Sequence, residues 1–198
     1  MISLILASGS AVRARLLASA GVPFDVVPAR VDEDAVKNAL LAQNTPMRGI
    51  ADALAELKAV RVSGSRPDTL VLGGDQVLVF ENELVSKSVN IPEARTLLHK
   101  LRGGKHQLIS AVVLAKDTVP IWRHVDNSTL TMRDFSNEFL EDYLAREGEA
   151  ALEAVGCYHL EGAGTQLFAS IAGDYFSVLG LPLLPILAAL REHGVLPS

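Results

Sequence analysis

Two serines and an arginine, Ser8, Ser10 and Arg13, have the types and spacing to bind an anion. They stand where an apolar run, Ile2–Leu6, gives way to a helical pattern over Val12–Ala20. Free amides and the dipole at a helix N-terminus favour negative charge, the hydroxyls add donors, and an arginine fork suits phosphate. The commoner meaning of a serine in that place is a plain helix N-cap. Asp75 follows an apolar run and Gly73-Gly74, where glycines let backbone and ligand come close. A carboxylate there can act as a general base or hold a metal; a turn aspartate bonding its own backbone fits the pattern equally well. Glu33 sits between Asp32 and Asp34, a cluster able to hold a hard cation but more often a solvated loop. Lys58 and Lys87 could each offset phosphate charge, although a single lysine is usually just a surface residue.

These residues need elements to position them. Ile2–Leu6 and Phe24–Val27 read as strands, with Val31–Asp34 as an acidic loop. A helix opening at Pro46 runs through Ile50, Leu54, Leu57 and Val60, and carries Lys58. Thr69–Leu72 reads as a buried strand bounded by Gly73-Gly74 and continued by Gln76–Phe80, with a turn at 81–83. Pro92–Leu101 is expected as a helix stopped by Gly103-Gly104. A hairpin over 107–115 and 121–132, connected through Val119-Pro120, comes next. A helix capped by Ser136, a strand over 167–171 and a C-terminal helix over 182–190 complete the pattern. Alternating strands and helices around a central hairpin imply an α/β fold with a mixed twisted sheet and flanking helices.

The 198 residues, 49% of them hydrophobic, suit one domain with a sizeable core. A net charge of -5 and no long basic run argue against a nucleic-acid partner. Cys157 is the sole cysteine, which excludes an internal disulfide and fits a reducing compartment; it reads as a small buried apolar residue. No signal-peptide pattern opens the chain, and the apolar segment 178–190 is too short to span a bilayer and contains two prolines. No membrane association and a cytoplasmic location are expected. The five histidines show no metal-ligand spacing, and neither a Walker A sequence nor a GxGxxG fingerprint occurs.

Taken together the motifs resemble the Maf-like nucleoside triphosphate pyrophosphatases. The resemblance rests on Ala7-Ser8-Gly9-Ser10 with Arg13 and Leu16-Leu17, Val31-Asp32-Glu33, Leu54-Ala55 with Lys58-Ala59, and Gly73-Gly74-Asp75-Gln76. It continues through Ser86-Lys87, Leu101-Arg102-Gly103 with His106, Tyr158 with Glu161-Gly162, and Gly180-Leu181-Pro182-Leu183. The motifs lie in family order and cover nearly the whole chain. The resemblance implies a single domain over 1–198, an elongated two-lobed Maf/inosine-triphosphatase-like fold with a central cleft, and a homodimer. It implies hydrolysis of a nucleoside triphosphate substrate to monophosphate and pyrophosphate with Mg or Mn as divalent metal cofactor. In the family this is linked to clearing modified nucleotides and, in some members, to cell-division arrest. By motif, Asp75 looks like the catalytic proton acceptor. Ser8, Ser10, Arg13, Lys58 and Lys87 look like triphosphate contacts, Gln76 and Glu161 like further substrate contacts, and Glu33 with Asp75 like metal ligands. Asp75-Gln76 and Glu161-Gly162 are similar to the branch acting on 7-methyl-GTP, where a glutamate can accept from guanine N1–H and N2–H. Val12 matches neither branch, and His159, Ser88 and 173–176 differ from the usual residues.

Two other readings compete. Sugar-phosphate nucleotidyltransferases also open with a strand, a small-residue turn and an arginine, but with more glycines and without the Glu33, Lys58 and Lys87 pattern. A non-catalytic nucleotide-binding regulator of septation would lack the acidic residue that Asp75 supplies.

Overall fold

The computed structural model describes residues 3–197, so Ile2 lies outside the described residues. The elements run β1 (Leu4–Leu6), α1 (Ala11–Ser19), β2 (Asp25–Val26), α2 (Glu33–Ala42), α3 (Met47–Ser63), β3 (Leu70–Phe80) and β4 (Glu83–Val85). They continue with α4 (Ile91–Leu101), β5 (Lys105–Lys116), β6 (Val119–Met132), α5 (Asn137–Glu147), β7 (Phe168–Ala172), α6 (Tyr175–Val178) and α7 (Leu183–Glu192). Short 3-10 turns at Gly148–Glu153 and Ala163–Leu167 fill the stretch before β7. The seven strands form one sheet in the order β2-β1-β3-β5-β6-β7, with β4 paired to β3. β1 is parallel to β2 and β3, whereas β3–β4 and β6–β7 are antiparallel. The expected α/β class with a mixed sheet is therefore what the chain adopts.

The chain separates into two compact units. The first comprises the chain up to Gln76, Ile109–Asp126 and the chain from Asp174 onward; the second comprises Val77–Leu108 and Asn127–Gly173. In the first unit the two-residue period of a strand sorts side chains to opposite faces. Leu4, Leu6, Leu70, Leu72, Val112 and Leu114 pack with Leu16 and Leu17 of α1 and Ile186 and Leu190 of α7. Ile5, Ala7 and Val71 point the other way and meet Val62 of α3. Helices on both faces are the usual way to bury parallel strands such as β2, β1 and the first part of β3. In the second unit Leu98 and Leu101 of α4, Leu108, Leu130, Phe135 and Leu140 of α5 are buried.

Several local expectations are corrected. Residues 31–34 do not form an acidic loop: Asp32 caps α2 by accepting from the Ala35 amide at 3.0 Å, and Glu33 and Asp34 fill its first turn. An acidic first turn after an aspartate is a helix-start signal, because carboxylates there meet unpaired amides and the positive end of the dipole. β3 does not stop at Gly73-Gly74 but runs through them, so Asp75 lies in mid-strand rather than at a strand end. The hairpin turns at Asp117 and Thr118, both at positive φ (50° and 67°), as a two-residue turn of the primed type. Val119-Pro120 thus begins β6 instead of connecting the strands. Proline is tolerated there because β7 pairs with β6 only near its far end, from Thr129 to Met132, leaving Pro120 on a free edge.

Candidate active site

The geometry of the site follows from one missing side chain. A Cβ on Gly73 would fall 2.2 Å from the Ala55 carbonyl oxygen and 2.7 Å from the Ala59 amide. Only glycine lets α3 lie this close to β3. The buried stripe of α3 is therefore Ile50, Ala51, Leu54, Ala55, Lys58, Ala59 and Val62, rotated toward its alanines and away from Leu57 and Val60. Gly73 thus admits a helix rather than a ligand. Burying Ile50 and Leu54 contributes on the order of 2 kcal/mol each. That burial draws Lys58 inside, and its ammonium must then be matched by charge.

Two carboxylates match it. Lys58 Nζ lies 2.7 Å from Asp75 Oδ1 and 2.7 Å from Glu33 Oε1. Asp75 points to the α3 face because it shares the parity of Val71 and Gly73 along β3. It is 4% exposed, and its second oxygen, Oδ2, has no hydrogen-bond partner. Burial pushes the Asp75 carboxyl above the ordinary range, opposed by the charges of Lys58 and Arg13 and reinforced by Glu33. Partial burial also works against Glu33, but the hydrogen bond and charge of Lys58, with Lys37 and Arg13, hold its carboxyl below the ordinary range. Neighbouring carboxylates are thereby driven in opposite directions.

Arg13 binds the other face. It packs beside Gly74, which has the opposite parity, and Arg13 Nη1 donates to the Gly74 carbonyl at 2.9 Å and to Ser8 Oγ at 3.0 Å. Nε donates to the Gly180 carbonyl at 2.8 Å. Arg13 therefore ties the β1–α1 turn, β3 and the α6–α7 connection together through Nε and Nη1, and Nη2 takes no part in these three bonds. Ser10 is the N-cap of α1, accepting from the Arg13 amide at 3.4 Å, so the simpler reading of that serine describes its hydroxyl oxygen. Ser8 is buried and accepts from both Arg13 and the Ser10 amide. Its own proton remains to be given.

Gln76 is anchored through its nitrogen. Its amide nitrogen lies within 2.8–3.1 Å of Ser110 Oγ and the carbonyls of Ser177 and Val178. Behind them Ser177 Oγ donates to Asp126 Oδ2 at 2.6 Å. The sequence reading did not single out Ser110, Ser177 or Asp126; nothing in their spacing marks them, since they meet only through the sheet. The first unit thus gathers Ser8, Ser10, Arg13, Glu33, Lys58, Asp75 and Gln76. Lys87, exposed after β4, and Glu161 belong to the second unit.

Among the described residues no group of three or more His, Cys, Asp or Glu is arranged to hold a metal ion. Glu33 and the orphan oxygen of Asp75 are hard oxygen donors, and two carboxylates completed by phosphate oxygens are a common donor set for Mg²⁺. The residues fit a cation that is shared with a phosphorylated ligand.

Fold and site together define an α/β protein with a lysine-bridged carboxylate pair just past the carboxyl end of β1. A sequence model of the family described as Maf-like protein matches residues 3–193, and the chain belongs to that family. It is 52% identical over 191 residues to a protein of Caulobacter vibrioides named nucleoside triphosphate pyrophosphatase, covering 96% of each chain. Proteins of the same name from Granulibacter bethesdensis and Roseobacter denitrificans are 49% and 50% identical, with 98% of both chains covered in each case. No helix among the described residues is long and apolar enough to cross a membrane.

Proposed function

We propose that this chain is a nucleoside triphosphate pyrophosphatase that hydrolyses a standard or modified nucleoside triphosphate to the monophosphate and pyrophosphate. The observation that carries the reading is Asp75: buried, raised in pKa, held by Lys58 through one oxygen and unpartnered at the other. A carboxylate poised in this way suits a general base. Asp75 Oδ2 orients a water and takes its proton as the water oxygen bonds to the α-phosphorus. The bond from that phosphorus to the bridging oxygen breaks, and pyrophosphate leaves. The remaining N–H of Lys58, Arg13 Nη2, the Ser8 hydroxyl and the amides at the start of α1 offset charge on the leaving group. Ser10 shapes that helix start, and Lys87 is a further triphosphate contact. Glu33 and Asp75 would hold a divalent cation, Mg²⁺ or Mn²⁺, whose chemistry there is to polarise phosphate oxygens. Glu161 and the amide oxygen of Gln76, whose nitrogen is held by Ser110 and the 177–178 carbonyls, complete the substrate contacts, a single domain spans 1–198, and the assembly is a homodimer without nucleic acid.

A panel of standard and modified nucleoside triphosphates with Mg²⁺ or Mn²⁺, scored for both products, tests the reading. Release of pyrophosphate from nucleotide and metal alone is expected; a strict need for a sugar phosphate would make the chain a nucleotidyltransferase. For the finer assignment to 7-methyl-GTP, Glu161→Gln should weaken kcat/KM for a guanine nucleotide more than for a pyrimidine one, by about 1–3 kcal/mol. Equal losses on both would remove Glu161 from base recognition.

A further inference from the structure

The second unit holds a buried polar cluster that the proposed chemistry does not use. Ser88 is only 8% exposed, although its neighbours Lys87 and Val89 are exposed, Val89 to 76%. The Cys157 thiol donates to Ser88 Oγ across 3.3 Å. Cys157 is wholly buried, and it holds a side chain at φ 58°, a conformation that suits glycine. A side chain kept at such a position needs contacts that outweigh the strain.

The loop that presents this thiol is pinned on both sides. The Cys157 amide donates to the Ala154 carbonyl at 3.1 Å, and its carbonyl accepts the Tyr143 hydroxyl of α5 at 3.0 Å. The next residue, Tyr158, has its hydroxyl 2.7 Å from His106 Nε2 of β5 and its ring edge-on to Phe168 of β7, with centroids 4.8 Å apart. The thiol therefore stands on a helix and two strands, whereas Lys87 stands on a connection with exposed residues on most sides. Ser88 is the one point where that connection enters the core.

We propose that Ser88, pegged to the Cys157 thiol, is a positioning residue that holds Lys87 in place for the phosphate oxygens of the nucleoside triphosphate. The proposal rests on Lys87 as a triphosphate contact. Without the peg the lysine must be ordered when substrate arrives, and that cost appears in substrate binding rather than in the chemical step.

The test is pyrophosphate release by the full chain against concentration of the fastest nucleotide in the panel. Ser88→Ala should raise KM about fivefold with kcat within about twofold. Cys157→Gly should raise KM to the same extent even though it relaxes the backbone, and Cys157→Ser, which keeps a donor, should restore most of the loss. Lys87→Ala should raise KM further, and adding Ser88→Ala to it should cost nothing more, because the two act through one contact. An unchanged KM in Ser88→Ala, or a full additional loss on top of Lys87→Ala, overturns the peg. A wild-type KM in Lys87→Ala also overturns it, by removing Lys87 from substrate binding. Absence of pyrophosphate release by the unaltered chain from every nucleotide is a different failure, that of the proposed function itself.

Discussion

The two units each bury a polar cluster, and the clusters differ in kind. In the first unit Lys58, Asp75 and Glu33 bring full charges into the interior, and one carboxylate oxygen is left without a partner. In the second unit His106, Tyr143, Cys157 and Tyr158 are neutral: burial lowers His106 to about 4 and raises both tyrosines and the thiol. Neutral groups joined by hydrogen bonds fix a loop at smaller cost, even though His106 Nδ1 is itself left without a partner. Buried charges that only partly satisfy one another are costly, and the cost is tolerated where the unsatisfied group has a ligand to meet. The contrast separates the neutral groups that hold the chain in shape from the charged groups that the proposed reaction would use.

The sharpest way to break it is Asp75→Asn. The amide keeps the shape and removes the base, so pyrophosphate release should fall by about 10²- to 10⁴-fold. Stability should not fall, because a carboxyl raised by burial destabilises the fold when ionised at neutral pH, and the amide carries no charge to desolvate. Rates and urea midpoints on the same preparations check both halves. A variant that loses stability together with activity would place Asp75 among the structural groups.

Lys58→Met attacks the same cluster from the other side. It leaves two carboxylates without their shared cation, and losing one partner of a buried pair costs about 3–5 kcal/mol. The pH dependence has a definite sign. Without Lys58 the Asp75 carboxyl rises further and Glu33 loses the largest of the influences that hold its own carboxyl down, keeping those of Lys37 and Arg13. The deficit should be larger at neutral pH than in acid, because it comes from unmatched carboxylate charge and shrinks as the pH falls and the carboxylates protonate. Parallel urea titrations at pH 7.5 and pH 4.5 measure it; an equal deficit at both would deny the charge argument.

The neutral cluster responds in the opposite direction. His106 is 1% exposed and stays unprotonated down to about 4, whereas in the unfolded chain it takes a proton near 6.5. Its contribution is complete above pH 6.5 and is lost as the pH falls from there toward 4, about 3 kcal/mol in all. His106→Gln should flatten that part of the stability curve. An unaltered acid slope would show that His106 is not the group responsible.

Much of this contrast was legible before the fold was known, and the illegible parts have physical causes. Ser8, Arg13, Glu33, Lys58 and Asp75 were singled out by residue type, and the first unit brings all five together. Lys58 nevertheless read as a surface lysine, because periodicity alone placed Leu57 and Val60 on the buried face of α3. The true face follows the alanines, and what selects it is a glycine on another element. The acid run 32–34 read as a loop because its charge outweighed its capping signal. Gln76 read as a ligand contact, and its spacing gave no sign that its amide nitrogen is held by Ser110 and the 177–178 carbonyls. Spacing along the chain cannot show partners that only the sheet brings together.

Gly73→Ala tests that dependence directly, with the smallest expected effect. The added methyl would meet the backbone of Ala55 at 2.2 Å, which no side-chain rotation relieves. α3 must shift outward, and overpacking of this kind costs about 1–3 kcal/mol. The same shift draws Lys58 away from Asp75 and Glu33, so activity should fall by more than the modest loss of folded protein explains. Gly74→Ala is the control. Its methyl would find Arg13 Nε at 3.5 Å and Val112 at 3.6 Å, ordinary contact distances. If α3 positions the charged cluster through Gly73, the Gly73 variant should lose both stability and pyrophosphate release while the Gly74 variant keeps most of each. Equal losses in the two variants would mean that flexibility of the glycine pair, rather than the close approach of α3, is what the site requires.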